Sequence, residues 1–286
     1  YGRFDLAWRG TGAPKLLEYN ADTPTALIEA AVAQWEWLTA CVPGGDQWNS
    51  LHERLVTAWK SFAPKLDNRL VHFVSMETPE DLATVTYLQD CAEQAGLRTR
   101  FLPVSRIGWD HARRAFVDEE GDSLATCFKL YPWEWMVREE FAARLSTQPA
   151  YGPSTQWIEP AWKMVLSNKG LLPILWEMFP GHPNLLEAHF AAGKMKSYVQ
   201  KPLLSREGAN IRLVLDGVEV ARGVDDGYGK EGFIEQALTP EAVVFDGKWP
   251  VLGCWVVQGE AAGLGVREAD TMITGPGSRF VPHRMG

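Results

Sequence analysis

A chain of 286 residues with 46% hydrophobic and 22% charged side chains can bury a sizeable core and has the balance of a soluble globular protein. Its net charge of −8 argues against a nucleic-acid partner, which needs a basic face, while leaving room for local basic pockets that hold a small anion. No run of about 18–20 apolar residues suits a membrane span, and no signal-peptide pattern is present. Cys41, Cys91, Cys127 and Cys254 have neither CxxC nor zinc-type spacing, which predicts reduced thiols and a cytoplasmic setting.

The chain lacks an initiator Met and opens almost inside a strand, so an N-terminal portion is expected to precede it. Residues 4–8 and 15–20 read as two strands joined by a Gly/Pro-rich connector, which is hairpin chemistry. Side chains alternate along a strand, so Glu18 and Asn20 share a face, and Asp5 joins them if the strands pair. These are hard oxygen donors of the kind that hold Mg²⁺; the same residues also suit an ordinary solvated hairpin face. Thr23 then reads as an N-cap with Pro24 at the first helical position, and Leu27, Ile28, Ala31, Val32, Trp35 and Leu38 form a helical stripe. A second amphipathic helix covers Trp48 to Phe62. A buried strand from Arg69 to Ser75, a helix of about Glu80 to Ala95 and a strand at 98–102 make an α/β unit. A hairpin is expected near 118–122, a strand at 126–131 and a helix from Trp133 to Leu145.

Residues 148–160 are polar with Pro and Gly, a candidate boundary between subdomains. A Leu/Trp-rich helix at 171–179 follows. From Tyr198 onward the pattern is β-rich, with strands near 198–204, 211–215, 219–222, 233–237, 252–258 and 261–267. In this half Lys201 sits in an apolar strand before a Ser/Gly loop, which suits nucleotide phosphates or an ordinary surface hairpin. Glu235, Gln236, Ala237 and Leu238 end an apolar strand, as an adenine hinge or a plain edge strand would. Arg267 follows two glycines and suits planar recognition of phosphate or carboxylate, or a solvated strand end. Glu77, with Glu80 and Asp81, reads as an amine dock or as acidity at a helix N-terminus. Tyr131 and Trp133 read as an aromatic wall or as core. The six His show no HxxxH or HExxH spacing, which disfavours a zinc enzyme.

Six blocks in order, GRFD, LLEYNADTPT, NKGLLPILWEMFPGHPNLLEAHF, YVQKPLLSREGANI, FIEQAL and AGLGVRE…ITGPGSRFVPH, resemble the glutathionylspermidine synthase family, especially its shorter bacterial acid–amine ligase relatives. The resemblance runs from Gly2 to His283. It implies an α/β (α+β) fold, ATP-grasp-like with the metal-binding block ahead of the ATP-binding lysines, plus a substrate-binding α/β subdomain. Residues 1–150 would carry the metal-binding hairpin and substrate subdomain, and residues 151–286 the nucleotide-binding subdomain, together one synthetase domain. The implied activity is ATP- and Mg²⁺-dependent amide formation between a peptide-like carboxylate and a polyamine-like amine through an acyl-phosphate. The alternative is a nucleotide-binding module that acts as a regulatory or interaction partner.

By the same resemblance, Asp5, Glu18 and Asn20 hold Mg²⁺, and Arg3 and Arg267 stabilise the transferring phosphoryl group. Lys169 and Lys201 hold ATP phosphates, and the 205–210 loop, with Arg206 and Gly208, closes over them. Glu235 to Leu238 form the adenine hinge, and Met272, Ile273 and Thr274 complete the pocket. Thr23 falls near the acyl substrate; Glu77, Tyr131 and Trp133 fall in the substrate region, where the text departs from the family pattern and leaves the substrate open. The amidase domain of some members has no counterpart in these blocks.

Overall fold

The computed structural model describes residues 1–66, 70–147, 154–190, 192–239, 244, 246–275 and 277–286. Residues 148–153 of the predicted boundary, and Arg69, Pro240 and Pro276 of the predicted segments, lie outside the described residues. In chain order the strands are β1 (Gly2–Ala7), β2 (Lys15–Asn20), β3 (Leu70–Ser75), β4 (Arg98–Pro103), β5 (Gly108–Asp110), β6 (Ala115–Val117), β7 (Thr126–Leu130) and β8 (Gln156–Ile158). They continue as β9 (Ala188–His189), β10 (Tyr198–Pro202), β11 (Arg212–Leu215), β12 (Val218–Arg222), β13 (Phe233–Ala237), β14 (Trp249–Val257), β15 (Glu260–Ala269) and β16 (Arg279–Val281). The helices are α1 (Gln34–Cys41), α2 (Leu51–Phe62), α3 (Pro79–Gln94), α4 (Trp133–Met136), α5 (Ala142–Leu145), α6 (Lys163–Ser167) and α7 (Leu171–Met178).

Three sheets organise this mixed α/β fold. β3, β4, β7 and β8 form a parallel sheet in the order β4-β3-β7-β8, with α3 as the crossover between β3 and β4. An antiparallel sheet runs β12-β11-β10-β13-β9, and a second runs β16-β15-β14-β1-β2. The last sheet draws strands from both sides of residue 150, so the opening hairpin is completed by the end of the chain. The main core joins Leu51, Leu55 and Trp59 of α2 and Val85 and Leu88 of α3 to Val71 and Phe73 of β3, and Trp255 of β14. β14 alternates buried and half-buried residues, the period-2 pattern of a strand with one covered face. No described helix is long and apolar enough to cross a membrane.

Two sequence expectations are corrected. Thr23 and Pro24 do not open a helix: helical structure begins at Leu27 with a π-helical turn (Glu29–Ala33) that runs into α1, and Ala26 has φ 62°. The cause is that the preceding residues are claimed from outside. The Thr23 hydroxyl accepts from Arg206, the Thr25 carbonyl from Arg3, and the Asp22 carboxylate from Lys129. The helix expected over 133–145 is two single turns, α4 and α5. Trp133 and Met136 bury in one cluster while Phe141 packs on Phe116 of another, so the chain bends between them. Near residue 118 the predicted hairpin turn is present, with Asp118 N–H bonded to Asp122 O and an antiparallel bridge between Val117 and Ser123, and the strands β5 and β6 pair just ahead of it. By contrast, Thr78 caps α3 through the Asp81 N–H, one residue ahead of Pro79.

Candidate functional site

The register of β1 decides what the opening hairpin presents. Asp5 lies opposite Glu18 on one side and Gly253 on the other, and Arg3 lies opposite Asn20 and Trp255. Directly paired residues share a face, so Arg3, Asp5, Glu18 and Asn20 form one polar surface, while Phe4 and Leu6 face an apolar cluster with Leu175 and Trp176 of α7. Gly253 makes this possible, because a Cβ there would stand 2.9 Å from Arg3 Cδ. Arg3 Nε and Nη2 grip Asp5 at 2.6 and 2.9 Å, and Arg267 Nη2 reaches Asp5 Oδ2 at 2.7 Å. Asn20 Nδ2 lies 3.3 Å from both the Asp5 and Glu18 carboxylates.

Across from this face stand two lysines. Lys169 Nζ is 3.1 Å from Glu18 Oε2 and donates to Ser205 O at 2.9 Å. Lys201, buried on β10, donates to Leu17 O at 2.8 Å and to Gln236 Oε1 at 2.7 Å. Burial alone would push the Glu18 carboxyl up, but Lys169 and Lys201 outweigh it and hold it well below the ordinary carboxylate range. For Lys201, burial wins: its ammonium is pushed down to about 8, with Glu18 opposing and Lys169 reinforcing. Arg267 is likewise lowered by burial and by Arg3, against the pull of Asp5. Four cations thus meet two carboxylates, so the site favours an anion although the chain is acidic overall.

These groups border one cavity of about 790 Å³. Arg3, Asp5, Glu18, Asn20, Lys201 and Arg267 all line it. So do Gln236, Ala237 and Leu238 with Met272, Ile273 and Thr274, beside the apolar side chains of Val199 and Leu213. Glu235 points away from it and accepts the Gly193 N–H at 3.1 Å. Lys169 stands behind Glu18 rather than on the wall. Arg206 and Gly208 of the 205–210 loop close one side. Gly208 is required there: its φ is +71°, and a Cβ would lie 2.5 Å from Thr274 O.

At the far end Arg206 Nη2 donates to Thr23 Oγ1 at 2.7 Å, and its guanidinium lies 5.2 Å from the centre of the Trp135 ring. The other three expected substrate residues do not reach the cavity lining. Glu77 is exposed beyond β3. Tyr131 is buried with its hydroxyl on Glu139 at 2.6 Å, and Trp133 is buried with its indole N–H on Glu159 O at 2.9 Å.

Among the described residues no three His, Cys, Asp or Glu side chains converge on one point. The donors available are two carboxylates and an amide, now balanced by Arg3, Arg267 and Lys169. That set fits Mg²⁺, which retains several waters and shares its coordination with phosphate oxygens instead of filling an all-protein cage. Asn20 would contribute its Oδ1 by rotation of its amide.

The family described as glutathionylspermidine synthase preATP-grasp matches residues 1–286. The chain belongs to the glutathionylspermidine synthase family. It is an enzyme of the acid–amine ligase type. A Haemophilus influenzae protein named as an acid–amine ligase is 41% identical over 99% of this chain and 74% of its own length. The bifunctional glutathionylspermidine synthetase/amidase of Escherichia coli is 29% identical over 95% of this chain, which spans 47% of that protein. Among solved structures, a glutathione synthetase-like effector of Globodera pallida matches with a TM-score of 0.56 and 11% identity, over 98% of this chain and 74% of the other; this is a likeness of fold.

Several residues of the candidate site in this glutathionylspermidine synthase-family chain carry little signal in the sequence. Asp22 lines the cavity with its carboxylate held by Lys129 Nζ at 2.5 Å and Trp133 N–H at 2.8 Å. Ser167 Oγ accepts the N–H groups of Ala21 and Asp22 at 2.9 Å each. These bonds fix the turn between Asn20 and Thr23. The available signal was Lys129, a charge within the otherwise apolar Cys127-Phe128-Lys129-Leu130, which a buried strand tolerates only with a partner. Glu134 also lines the cavity; nothing in the spacing of the 131–136 segment marked it.

Proposed function

We propose that this chain is an ATP- and Mg²⁺-dependent carboxylate–amine ligase that forms an amide bond through an acyl-phosphate, with a peptide-like acid and a polyamine-like amine as substrates. The observation that carries this reading is that Arg3, Arg267 and Lys201 outnumber Asp5 and Glu18 on one wall of a cavity that also presents apolar side chains such as Val199 and Leu213. A nucleoside triphosphate needs that combination: charge for its phosphates and an apolar slot for its base. In this reading residues 1–150 supply the metal donors and the substrate end and residues 151–286 the nucleotide walls, and the sheet shared by β1, β2, β14, β15 and β16 supports treating them as one unit.

A carboxylate is a poor electrophile for an amine. Its oxygen attacks the γ-phosphorus of ATP, the bond to the β–γ bridging oxygen breaks, and ADP leaves. The amine nitrogen then attacks the acyl carbon, the C–O bond to phosphate breaks, and phosphate departs as the nitrogen loses its proton. Arg3 and Arg267 face the oxygens that gain charge, Lys201 holds the phosphates in line, and Lys169 adds its positive charge from behind Glu18. Mg²⁺ held by Asp5, Glu18 and Asn20 would supply charge neutralisation at the transferring phosphoryl group. Gln236 to Leu238 and Met272 to Thr274 border the base. The 205–210 loop shields the acyl-phosphate from water, and Arg206 on Thr23 keeps that loop against the substrate end.

The test is ATP turnover with a panel of peptide carboxylates and amines, with products read by mass spectrometry. An amide formed with ADP and phosphate supports the ligase. Phosphate release without amide for every pair supports the nucleotide-binding regulatory module instead.

A further inference from the structure

The α4 turn holds two buried residues, Trp133 and Met136, and one carboxylate that faces the cavity, Glu134. Its side chain is only 14% exposed. Among the described residues no group donates a hydrogen bond to it. One cation stands within 4 Å, Arg206 Nη2 at 3.8 Å, and that nitrogen is already committed to Thr23 Oγ1. A carboxylate that opens on a cavity without a protein donor has its acceptor sites available to a ligand.

Nor is Glu134 placed there loosely. The neighbouring Trp133 N–H is bonded to Asp22 Oδ2, and Asp22 is paired with Lys129, whose Nζ also donates to Tyr131 O at 3.0 Å and lies 4.8 Å from the centre of the Trp133 ring. Both members of that ion pair are at most 2% exposed. Burying two charges is a poor way to gain stability, and its product here is the orientation of α4 against the Asn20–Thr23 turn. The backbone that carries the carboxylate is therefore fixed at the end of the cavity where Thr23 and Arg206 meet.

We propose that Glu134 is the residue that receives the amine substrate, its carboxylate taking the ammonium group of a cationic amine beside Trp135. An ammonium brings three donors and one positive charge, which matches a carboxylate that faces the cavity without a protein donor. An acid substrate is disfavoured at the same point by charge, so Glu134 separates the amine position from the acid position. The assignment rests on the ligase reading.

The experiment is calorimetric titration of spermidine, putrescine and ethylenediamine into the full chain saturated with Mg²⁺ and a non-hydrolysable ATP analogue. Glu134→Gln keeps the shape and removes the charge, and Glu134→Asp keeps the charge on a shorter stem. The expected result is amine binding to the wild type, weakened about ten- to a hundredfold in Glu134→Gln, the scale of one charge-assisted hydrogen bond, and partly recovered in Glu134→Asp, with nucleotide affinity retained in both. Equal amine affinity in wild type and Glu134→Gln, parallel loss of amine and nucleotide binding, or no amine bound by the wild type overturns the assignment. Failure of the wild type to bind the Mg²⁺–nucleotide analogue would instead strike the ligase reading itself.

Discussion

Replacing Lys201 by Met separates the role of this lysine in binding from its role in stability. The ammonium is buried and lowered from 10.5 to about 8, which at 1.36 kcal/mol per pH unit makes the charged form about 3 kcal/mol costlier in the folded chain than in the unfolded one. Met removes that penalty. It also strands Leu17 O and Gln236 Oε1, which Lys201 now satisfies, at about 1–3 kcal/mol each. The two effects are of similar size and opposite sign, so Lys201→Met should change stability at pH 7 by no more than about 1–3 kcal/mol. If Lys201 faces the phosphates as proposed, nucleotide affinity should nevertheless fall about a hundredfold. The pH dependence gives the sign. Between about pH 8 and 10.5 folded Lys201 is neutral while the unfolded residue is still protonated, so the unfolded state binds more protons and wild-type stability rises with pH across that window. Denaturant unfolding at pH 7 and 9.5, with nucleotide titrations at pH 7, measures both. A wild-type-minus-variant stability difference that ignores pH, together with an unchanged nucleotide dissociation constant, would refute the reasoning.

Other substitutions probe the remaining parts. Glu18→Gln should abolish turnover while circular dichroism stays native, since it removes a proposed metal donor from an intact hairpin; unchanged activity would sink the metal assignment. Gly208→Ala forces a Cβ into the Thr274 carbonyl in a left-handed backbone, a cost of about 2–4 kcal/mol that should appear as weaker nucleotide binding and faster proteolysis of the 205–210 loop. Lys129→Met leaves Asp22 buried and unpaired and should lower stability by about 3–5 kcal/mol, whereas Asp22→Asn combined with Lys129→Met should return most of it; equal losses in both would mean that charge pairing is not the issue.

Much of this arrangement was legible because it depends on short-range rules. Alternation along Lys15–Asn20 put Glu18 and Asn20 on one face, and β-rich patterning marked β10, β13 and β15. The edge strands β8, β9 and β16 were not visible, since two or three residues carry no period. The start of α1 was misread because Thr23 and Pro24 make a good local helix signal that long-range bonds from Arg3, Lys129 and Arg206 override. The substrate end is least legible: Tyr131 and Trp133 are the aromatic signal of that segment, yet their burial leaves Glu134, between the two tryptophans, as the side chain that meets the cavity. Which residue of a short turn faces inward is set by tertiary packing, here the Asp22–Lys129 pair, more than 100 residues apart in the chain.

The central claim is that a carboxylate is activated by phosphoryl transfer before an amine attacks it. The most direct measurement uses an acid substrate labelled with ¹⁸O in its carboxylate, turned over with ATP, Mg²⁺ and an amine, with the released phosphate analysed by mass spectrometry. The account predicts one ¹⁸O in the phosphate, with ADP as the nucleotide product. Unlabelled phosphate, or label recovered in AMP, would contradict it.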